Sequence, residues 1–275
     1  MVTWFEAAVL GVVQGLTEFL PISSNAHVRI VSTFFGWPDP GAAFTAVMQL
    51  GTETAVLVYF WRDIWRIVST WARSLVQPAY RGDFDARMGW YVILGSIPIG
   101  VLGLAFQHPI ENQLRTLVLV AVVLVLFSFV LAAADMTARD ARPLTDLTVR
   151  DTVLFGLAQS LALIPGVSRS GGTISAGLLM GYTREAAARY SFLLAVPAVF
   201  ASGLFELKRI GPGDAAPAGP TALAAVIAFV VGLGVIAWFL RFISHHTFRG
   251  FVIYRILAGL VVLGLIAGHV ISNTG

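Results

Sequence analysis

The sequence has no cysteine among its 275 residues, and only 12% of them are charged. The absence of cysteine excludes disulfides, thiolate nucleophiles and cysteine-ligated metals. The scarcity of charge argues against a soluble domain, in which about a quarter of the residues are charged. A chain with 57% hydrophobic residues and a mean hydropathy of +0.81 is instead predicted to be an all-α integral membrane protein.

The few basic residues are scattered singly and the formal net charge is only +3, so we expect no nucleic-acid partner. When the loops between apolar segments are assigned alternately to two sides, twelve Lys and Arg fall on one side and four on the other. Because positive charge collects in cytoplasmic loops, the richer side is predicted to be cytoplasmic. Both termini then face outward.

Six apolar segments approach the roughly 20 residues that a helix needs to cross a bilayer. The fourth is short and is expected to extend at both ends. Arg255 lies near an end of its segment and is predicted to snorkel to the interface, whereas Glu53 lies mid-segment and cannot. The six segments are residues 44–61, 89–106, 116–134, 191–205, 221–240 and 251–271.

Two further apolar segments, residues 4–35 and 153–188, are interrupted by polar residues around a proline. Proline removes a helix donor, so each segment divides into two halves that are too short to cross alone. We predict two re-entrant helical hairpins, because irregular backbone within a membrane is tolerated only where protein or water covers it. A spanning helix kinked at Pro21 or Pro165 is the alternative.

The order of these segments repeats within the chain. Residues 11–16 (GVVQGL) match residues 156–161 (GLAQSL), and a proline and serines follow in both cases. Each half then has a hairpin followed by three spans, and an odd number of crossings inverts the second half. We predict one membrane domain over residues 1–275, made of inverted-topology repeats at 1–135 and 152–272 whose broken elements meet near the midplane. Chance similarity between hydrophobic stretches is the alternative.

The first break begins with a polar pair on a helix. Gln14 and Glu18 lie four residues apart and therefore share one helix face. A buried carboxylate at this position could hold a divalent cation, position a water molecule or remove a proton. A structural polar pair at a helix interface is the alternative.

Downstream of Pro21, hydroxyl and amide groups precede a histidine. Such a cluster most often caps the next helix, and a helix N-terminus also binds anions. The histidine could act as a nucleophile or as a general acid toward a leaving phosphate, and a structural hydrogen-bonding role is the alternative. The four residues are Ser23, Ser24, Asn25 and His27.

The second break is richer in groups that bind anions. An arginine fork, flanking hydroxyls and the exposed N–H groups of a glycine loop together suit a phosphate oxygen shell. Because an unpaired guanidinium in a membrane is implausible, Arg169 is predicted to pair with Glu18, either permanently or until an anionic ligand displaces it. The residues of this break are Ser168, Arg169, Ser170, Gly171, Gly172 and Thr173.

Both breaks resemble the signatures of one known family. Residues 14–27 (QGLTEFLPISSNAH) resemble the first signature of the bacterial undecaprenyl pyrophosphate phosphatase family, the bacitracin-resistance family. Residues 165–173 (PGVSRSGGT) resemble its second signature. The resemblance extends over the whole chain, including residues 47–51 and 191–197, and two motifs in the right order and spacing are highly specific.

The resemblance implies a hydrolase in the bacterial inner membrane. Such an enzyme cleaves the phosphoric anhydride of undecaprenyl diphosphate, releases undecaprenyl phosphate and inorganic phosphate, and recycles the lipid carrier of cell-wall synthesis. Its active site is expected to open toward the periplasmic side, a divalent cation (Mg²⁺ or Ca²⁺) is the expected cofactor, and a homodimer is left open.

Residue types and resemblance together give the candidate site. Catalysis is assigned to Glu18, Ser24, His27 and Arg169. Substrate binding is assigned to Ser23, Asn25, Ser168, Ser170, Gly171, Gly172 and Thr173. The attacking group is left open between a serine, the histidine and an activated water.

One departure from the family pattern concerns the metal ligands. Many members carry Glu where this chain has Gln14, and a glutamine is neither a base nor a strong metal ligand, so Gln14 is given a supporting role. Glu53 is the only other carboxylate well inside a span. We predict that Glu53 faces the site and, with Glu18, helps to bind the cation or protons.

A lipid flippase or a secondary transporter with a midplane anion site is the rival interpretation, since inverted repeats with broken helices are typical of transporters. A membrane scaffold would have no use for Arg169 at that depth. An enzyme needs a nucleophile and an acid within reach of one phosphorus atom. The enzyme hypothesis therefore requires Glu18 of the first break to meet Arg169 of the second.

Overall fold

A computed structural model describes residues 2–106, 116–209 and 217–273, without the side chains of 206–209. These ranges contain eleven α-helices and three short 3₁₀ turns, and no β-strand. The helices are α1 Trp4–Thr17, α2 Ser24–Phe34, α3 Gly41–Tyr59, α4 Trp61–Val76, α5 Phe84–Ala105, α6 Leu117–Thr137, α7 Val149–Ser160, α8 Arg169–Leu179, α9 Arg184–Arg209, α10 Ala218–Ile243 and α11 Arg249–Ala267.

Six of these helices are long and apolar enough to cross a bilayer: α3, α5, α6, α9, α10 and α11. Each coincides with one of the six predicted segments, and α9 extends the short fourth segment at both ends, as expected. The prediction of an all-α integral membrane protein is confirmed. The orientation of the spans stays a prediction.

The two broken segments form two pairs of short helices, α1 with α2 and α7 with α8. Their 11 to 14 residues correspond to about 17–21 Å, less than the roughly 30 Å of a bilayer core. Both second helices begin after a serine with a left-handed backbone, Ser23 at φ 73° and Ser168 at φ 76°. The two breaks therefore have the same local form, while their re-entrant course stays a prediction.

The helices of the two halves pack reciprocally. The first helix of each broken segment packs against a span of the other half: α1 against α10, and α7 against α5. Small residues allow these approaches, because a Cβ on Gly156 would lie only 2.4 Å from the carbonyl oxygen of Gly95. The span α3 also packs against α9, and α6 against α11. The inverted-repeat hypothesis rests on the sequence repeat and the odd number of spans in each half, and it stays a prediction.

An aromatic core fixes the chain directly after Glu18. Phe19 is fully buried and meets the ring of Phe192 on α9 edge-on, with centroids 5.5 Å apart. Phe192 in turn lies against Phe239 on α10. Because aromatic side chains bury large areas and pack in specific geometries, this contact holds the first break against two spans.

The loop between the two halves is tied to the second broken segment through Asp151, at the start of α7. This carboxylate accepts hydrogen bonds from Arg142 Nη2 at 2.7 Å, Tyr182 Oη at 2.7 Å and Thr148 Oγ1 at 2.8 Å. Burial raises the pKa of Asp151, but the hydrogen bonds from Arg142, Tyr182 and Thr148 outweigh burial and hold the pKa below its usual value. The start of α7 and the end of α8 are thereby joined.

This lowered pKa predicts a pH-dependent stability. A carboxyl whose folded pKa is depressed stabilises the fold above its unfolded pKa, about 3.9, and the stabilisation is lost as pH falls through the folded pKa. We expect Asp151→Asn to unfold at a lower temperature than the parent protein at neutral pH, and this difference to shrink below about pH 4. Thermal unfolding in detergent measures both, with Asp146→Asn, exposed in the same loop, as control. A difference independent of pH would contradict the assignment.

Candidate active site

Glu18 lies at the end of α1 and is the point where the two breaks meet. Its buried carboxylate accepts hydrogen bonds from Gln14 Nε2 at 2.8 Å, Ser24 Oγ at 2.5 Å and Arg169 Nη2 at 2.8 Å. Gln14 reaches it because four residues on a helix return to the same face. Ser24 reaches it because the chain reverses between α1 and α2. The structure thus places carboxylate, hydroxyl and guanidinium of the candidate site in direct contact.

Glu53 lies beside this contact. Its side chain projects from the middle of α3, is fully buried, and has Oε2 3.7 Å from Nη2 of Arg169. Neither carboxylate oxygen of Glu53 has a hydrogen-bond partner in the described part of the chain. The guanidinium of Arg169 therefore lies between two carboxylates that come from different helices.

Several buried polar atoms around Arg169 lack partners among the described residues. They are Gln14 Oε1, both carboxylate oxygens of Glu53, and Arg169 Nη1. A buried polar atom left unsatisfied costs about 1–3 kcal/mol, so an accumulation of such atoms at one place calls for an explanation. A phosphate would accept a hydrogen bond from Arg169 Nη1, and a cation would bind the oxygens of Gln14 and Glu53.

The oxygen-rich donor set suits a hard divalent cation. The described residues contain no cluster of three or more His, Cys, Asp or Glu, so a cage built from such side chains is not observed there. Mg²⁺ commonly binds to only one or two carboxylates and completes its shell with water and substrate phosphates. Glu18 and Glu53, with the amide oxygen of Gln14, fit that manner of binding.

The second break is joined to the first by its own hydroxyls. Ser168 accepts a hydrogen bond from the backbone N–H of Gly171 at 3.1 Å and so caps α8. Ser170 donates to the carbonyl oxygen of Leu20 at 2.9 Å, and its oxygen lies 3.1 Å from that of Ser168. The hydroxyl of Ser170 therefore joins the two breaks, and the hydroxyl of Ser168 contacts Ser170 and caps the helix that carries Arg169.

The remaining residues of the second motif pack α8 in place. A Cβ on Gly172 would lie 2.9 Å from the carbonyl oxygen of Ala158 on α7, so only glycine fits without a shift. Thr173 is fully buried and shares a 2.5 Å hydrogen bond with Ser191 on α9. Both residues hold the helix that carries Arg169.

His27 points toward α11. Its Nδ1 lies 2.8 Å from the carbonyl oxygen of Ser23, and its Nε2 lies 2.7 Å from the hydroxyl of Tyr254. Because a carbonyl only accepts, Nδ1 carries a proton, and in the neutral ring Nε2 then accepts from Tyr254. The two rings also stack at 5.5 Å. Sequence reasoning missed Tyr254, which is 46% exposed on an apolar helix and carries no signal of a role.

Asn25 is exposed, and its side chain accepts a hydrogen bond from Gln49 Nε2 at 3.3 Å. Within the described ranges, neither Asn25 nor His27 has a hydrogen bond or ion pair to Glu18 or Arg169. The two residues therefore lie beside the carboxylate–guanidinium network and do not belong to it.

The prediction that Arg255 snorkels to the interface is wrong. Its side chain is fully buried and points into the protein, where it donates hydrogen bonds to backbone carbonyls of both breaks. The breaks leave carbonyls without helical partners, and these acceptors hold the guanidinium inside the protein. Sequence reasoning missed this role, although an ionisable residue within an apolar span was the available signal.

Comparison with known proteins gives consistent results. A family model described as bacitracin resistance protein BacA matches residues 7–261. The chain is 61% identical to a protein of Renibacterium salmoninarum and 62% identical to one of Paenarthrobacter aurescens, in each case over 98% of this chain and 99% of the relative. It is 57% identical to a protein of Thermobifida fusca over 97% of this chain and 91% of the relative. All three relatives are named undecaprenyl-diphosphatase.

The close approach at Gly172 predicts opposite effects for two glycine substitutions. Gly172→Ala places a methyl group against the Ala158 carbonyl and is expected to lower the free energy of unfolding by about 1–3 kcal/mol. Gly234→Ala in α10 meets nothing within 4 Å and is expected to raise it by about 0.5–1 kcal/mol, since alanine favours helix. Thermal unfolding of both variants in detergent tests this, and a stabilising Gly172→Ala would disprove the packing.

Proposed function

The chain belongs to the family of bacitracin resistance protein BacA, and from that premise we propose that it hydrolyses undecaprenyl diphosphate to undecaprenyl phosphate and inorganic phosphate. The observation that carries the proposal is the contact of Ser24 and Arg169 with the buried carboxylate of Glu18. This arrangement supplies a nucleophile (Ser24), a base (Glu18) and a guanidinium that can bind phosphate (Arg169) at one place. In a bacterium the reaction would return the lipid carrier to cell-wall synthesis.

The geometry favours Ser24 as the attacking group. Its hydroxyl donates to Glu18 Oε2 at 2.5 Å, and Gln14 orients the same carboxylate oxygen from the helix side. In the proposed step the Ser24 oxygen bonds to the terminal phosphorus and its proton passes to Glu18. The bond from phosphorus to the bridging oxygen breaks, and undecaprenyl phosphate leaves. A water oxygen then bonds to the phosphorus of the phosphoserine, the bond from phosphorus to the Ser24 oxygen breaks, Ser24 regains its proton from Glu18, and inorganic phosphate leaves. Both nitrogens of His27 already have partners, which disfavours His27 as the nucleophile.

Arg169 is proposed to bind the diphosphate. Its Nη2 pairs with Glu18, while Nη1 lacks a partner within the described residues and can donate to a phosphate oxygen. The backbone N–H groups at the starts of α2 and α8 supply further donors, as helix N-termini do for anions. Phosphoryl transfer depends mainly on positioning and neutralised charge, and this set of groups provides both.

Glu18 and Glu53, with Gln14 Oε1, are the residues that would hold a divalent cation such as Mg²⁺ or Ca²⁺. When bound, the cation would supply positive charge toward the phosphate oxygens. The partnerless oxygens of Glu53 and Gln14 support this assignment, since they are the atoms left without a hydrogen bond.

The protein is multi-pass, with six helices able to cross a membrane. We propose the bacterial inner membrane as its location, with the active site opening to the periplasmic side, and base both on the family to which the chain belongs. The charge asymmetry of the loops supports only the orientation of the spans. The names of the relatives give no support to the rival interpretation, a transporter or lipid flippase. A homodimer stays a prediction that the mass of the purified protein in detergent can test.

The proposed mechanism is tested by release of inorganic phosphate from undecaprenyl diphosphate. We expect Ser24→Ala and Glu18→Ala each to lower kcat by about 10²–10⁴-fold, the range for losing a base and its partner, and His27→Ala to lower it less. Ser69→Ala, at a half-buried serine of α4 whose hydroxyl donates to the carbonyl oxygen of Arg66, serves as control.

The covalent step has its own readout. Rapid quenching with labelled substrate should trap phosphate on the parent protein and none on Ser24→Ala. A fully active Ser24→Ala variant would disprove serine attack and leave Glu18-assisted attack by water. Absence of phosphate release by the parent protein would refute the proposed function itself.

The role of Glu53 predicts a change in cation dependence. Glu53→Gln keeps the shape of the side chain and removes its charge, so the Mg²⁺ concentration for half-maximal phosphate release should rise about tenfold or more. Glu185→Gln, an exposed carboxylate on α9, is the matched control. Direct titration with Mn²⁺, followed by electron paramagnetic resonance, should show the same weakening. An unchanged titration would remove Glu53 from the set of cation ligands.

A further inference from the structure

Arg255 contacts both breaks at once. From its position on α11, Nη1 donates to the carbonyl oxygen of Pro21 at 2.7 Å and Nη2 donates to that of Gly166 at 3.0 Å. Both amino groups also lie 3.2 Å from the carbonyl oxygen of Val167. One planar guanidinium therefore joins the first break, the second break and a transmembrane helix.

The remaining donors of Arg255 tie it to another span. Nε donates to Ser128 Oγ at 3.1 Å and to the carbonyl oxygen of Leu124 at 3.3 Å, both on α6. All of its described partners are neutral, and it is fully buried. A buried charge without a counter-ion is costly, so its hydrogen bonds must offset a large desolvation penalty. They do so where the broken helices expose carbonyl groups.

The two anchored carbonyls have matching positions in the two motifs. Pro21 lies three residues before Ser24, and Gly166 lies three residues before Arg169. Ser24 and Arg169 are also the first residues of α2 and α8. Because the guanidinium of Arg255 binds both carbonyls, it fixes the relative positions of the two helix starts. The Ser24 hydroxyl and the Arg169 guanidinium, which meet at Glu18, are fixed with them.

We propose that Arg255 is a positioning residue that holds the two breaks in register, so that Ser24 and Arg169 converge on Glu18. This inference rests on the proposed phosphatase site. Arg255 itself need not touch the substrate, because its donors are already engaged by carbonyl and hydroxyl oxygens. A lysine cannot replace it, since an ammonium group lacks the planar fork that reaches several carbonyls at fixed angles.

The kinetic test separates alignment from substrate binding. Displacing catalytic groups by about 1 Å can cost on the order of 10²-fold in rate, so we expect Arg255→Lys and Arg255→Met to lower kcat by about that factor with a smaller change in KM. Arg249→Met, an exposed arginine on the same helix, should leave both unchanged. In an Arg169→Ala background, Arg255→Lys should lower kcat little further, because the guanidinium that Arg255 aligns with Glu18 is already absent.

A second test needs no activity. The chain has no cysteine, so Phe34→Cys on α2 and Leu179→Cys on α8, both exposed, can carry a pair of spin labels without interference. The distance distribution between the labels should be narrow with Arg255 or with Arg249→Met, and broader or shifted with Arg255→Lys. Circular dichroism and gel filtration show whether each variant is folded.

The outcomes distinguish the two proposals. A broadened distance distribution together with a lowered kcat supports the positioning role. If the parent protein releases no phosphate, the phosphatase proposal fails, but a broadened distance distribution in Arg255→Lys still supports the positioning role. An unchanged distance in folded Arg255→Lys overturns the positioning role whatever the activity. If Arg255→Met does not fold, Arg255→Lys alone decides.

Discussion

One ion pair, between Glu18 and Arg169, connects segments that are 151 residues apart in the chain. Removing one partner of a buried pair typically costs about 3–5 kcal/mol, because it leaves the other charge buried without its counter-ion. Each broken segment therefore depends on the other for its stability. The same contact brings the groups of the candidate site together, so the interaction that joins the two halves also assembles the site.

The surrounding structure serves this contact in several independent ways. Phe19 is locked into the aromatic core immediately after Glu18. Ser170 donates to a carbonyl of the opposite break, and Thr173 is bonded to α9. Arg255 collects carbonyls from both breaks. Interrupted helices usually weaken a membrane protein by exposing backbone acceptors, whereas here those acceptors are the means by which the two interruptions are joined.

The spans and the positions of the breaks follow from local sequence, because hydropathy and proline are properties of short segments. The pairing of Glu18 with Arg169 is predicted for a different reason, since a guanidinium inside a membrane needs a counter-ion. The direction of Arg255, the partnership of His27 with Tyr254, and the separation of His27 from the carboxylate network do not follow. They depend on how α11 packs against the breaks, and apolar periodicity leaves the rotation of such a helix undetermined. The sequence indicates that Glu53 and Arg169 lie within the membrane, but for Arg255 it indicates neither the burial nor the groups that surround the guanidinium.

Ser23 and Ser168 adopt backbone angles that glycine would take more easily, and such conformations cost about 1–3 kcal/mol each. The hydroxyl of Ser168 closes the first turn of α8, whereas Ser23 makes no capping bond within the described residues. The two serines at corresponding positions thus share a strained backbone conformation but differ in the hydrogen bonds of their hydroxyls. The hydroxyl of Ser168 is therefore occupied in the cap of α8, whereas the hydroxyl of Ser23 takes no part in capping α2 in the described part of the chain.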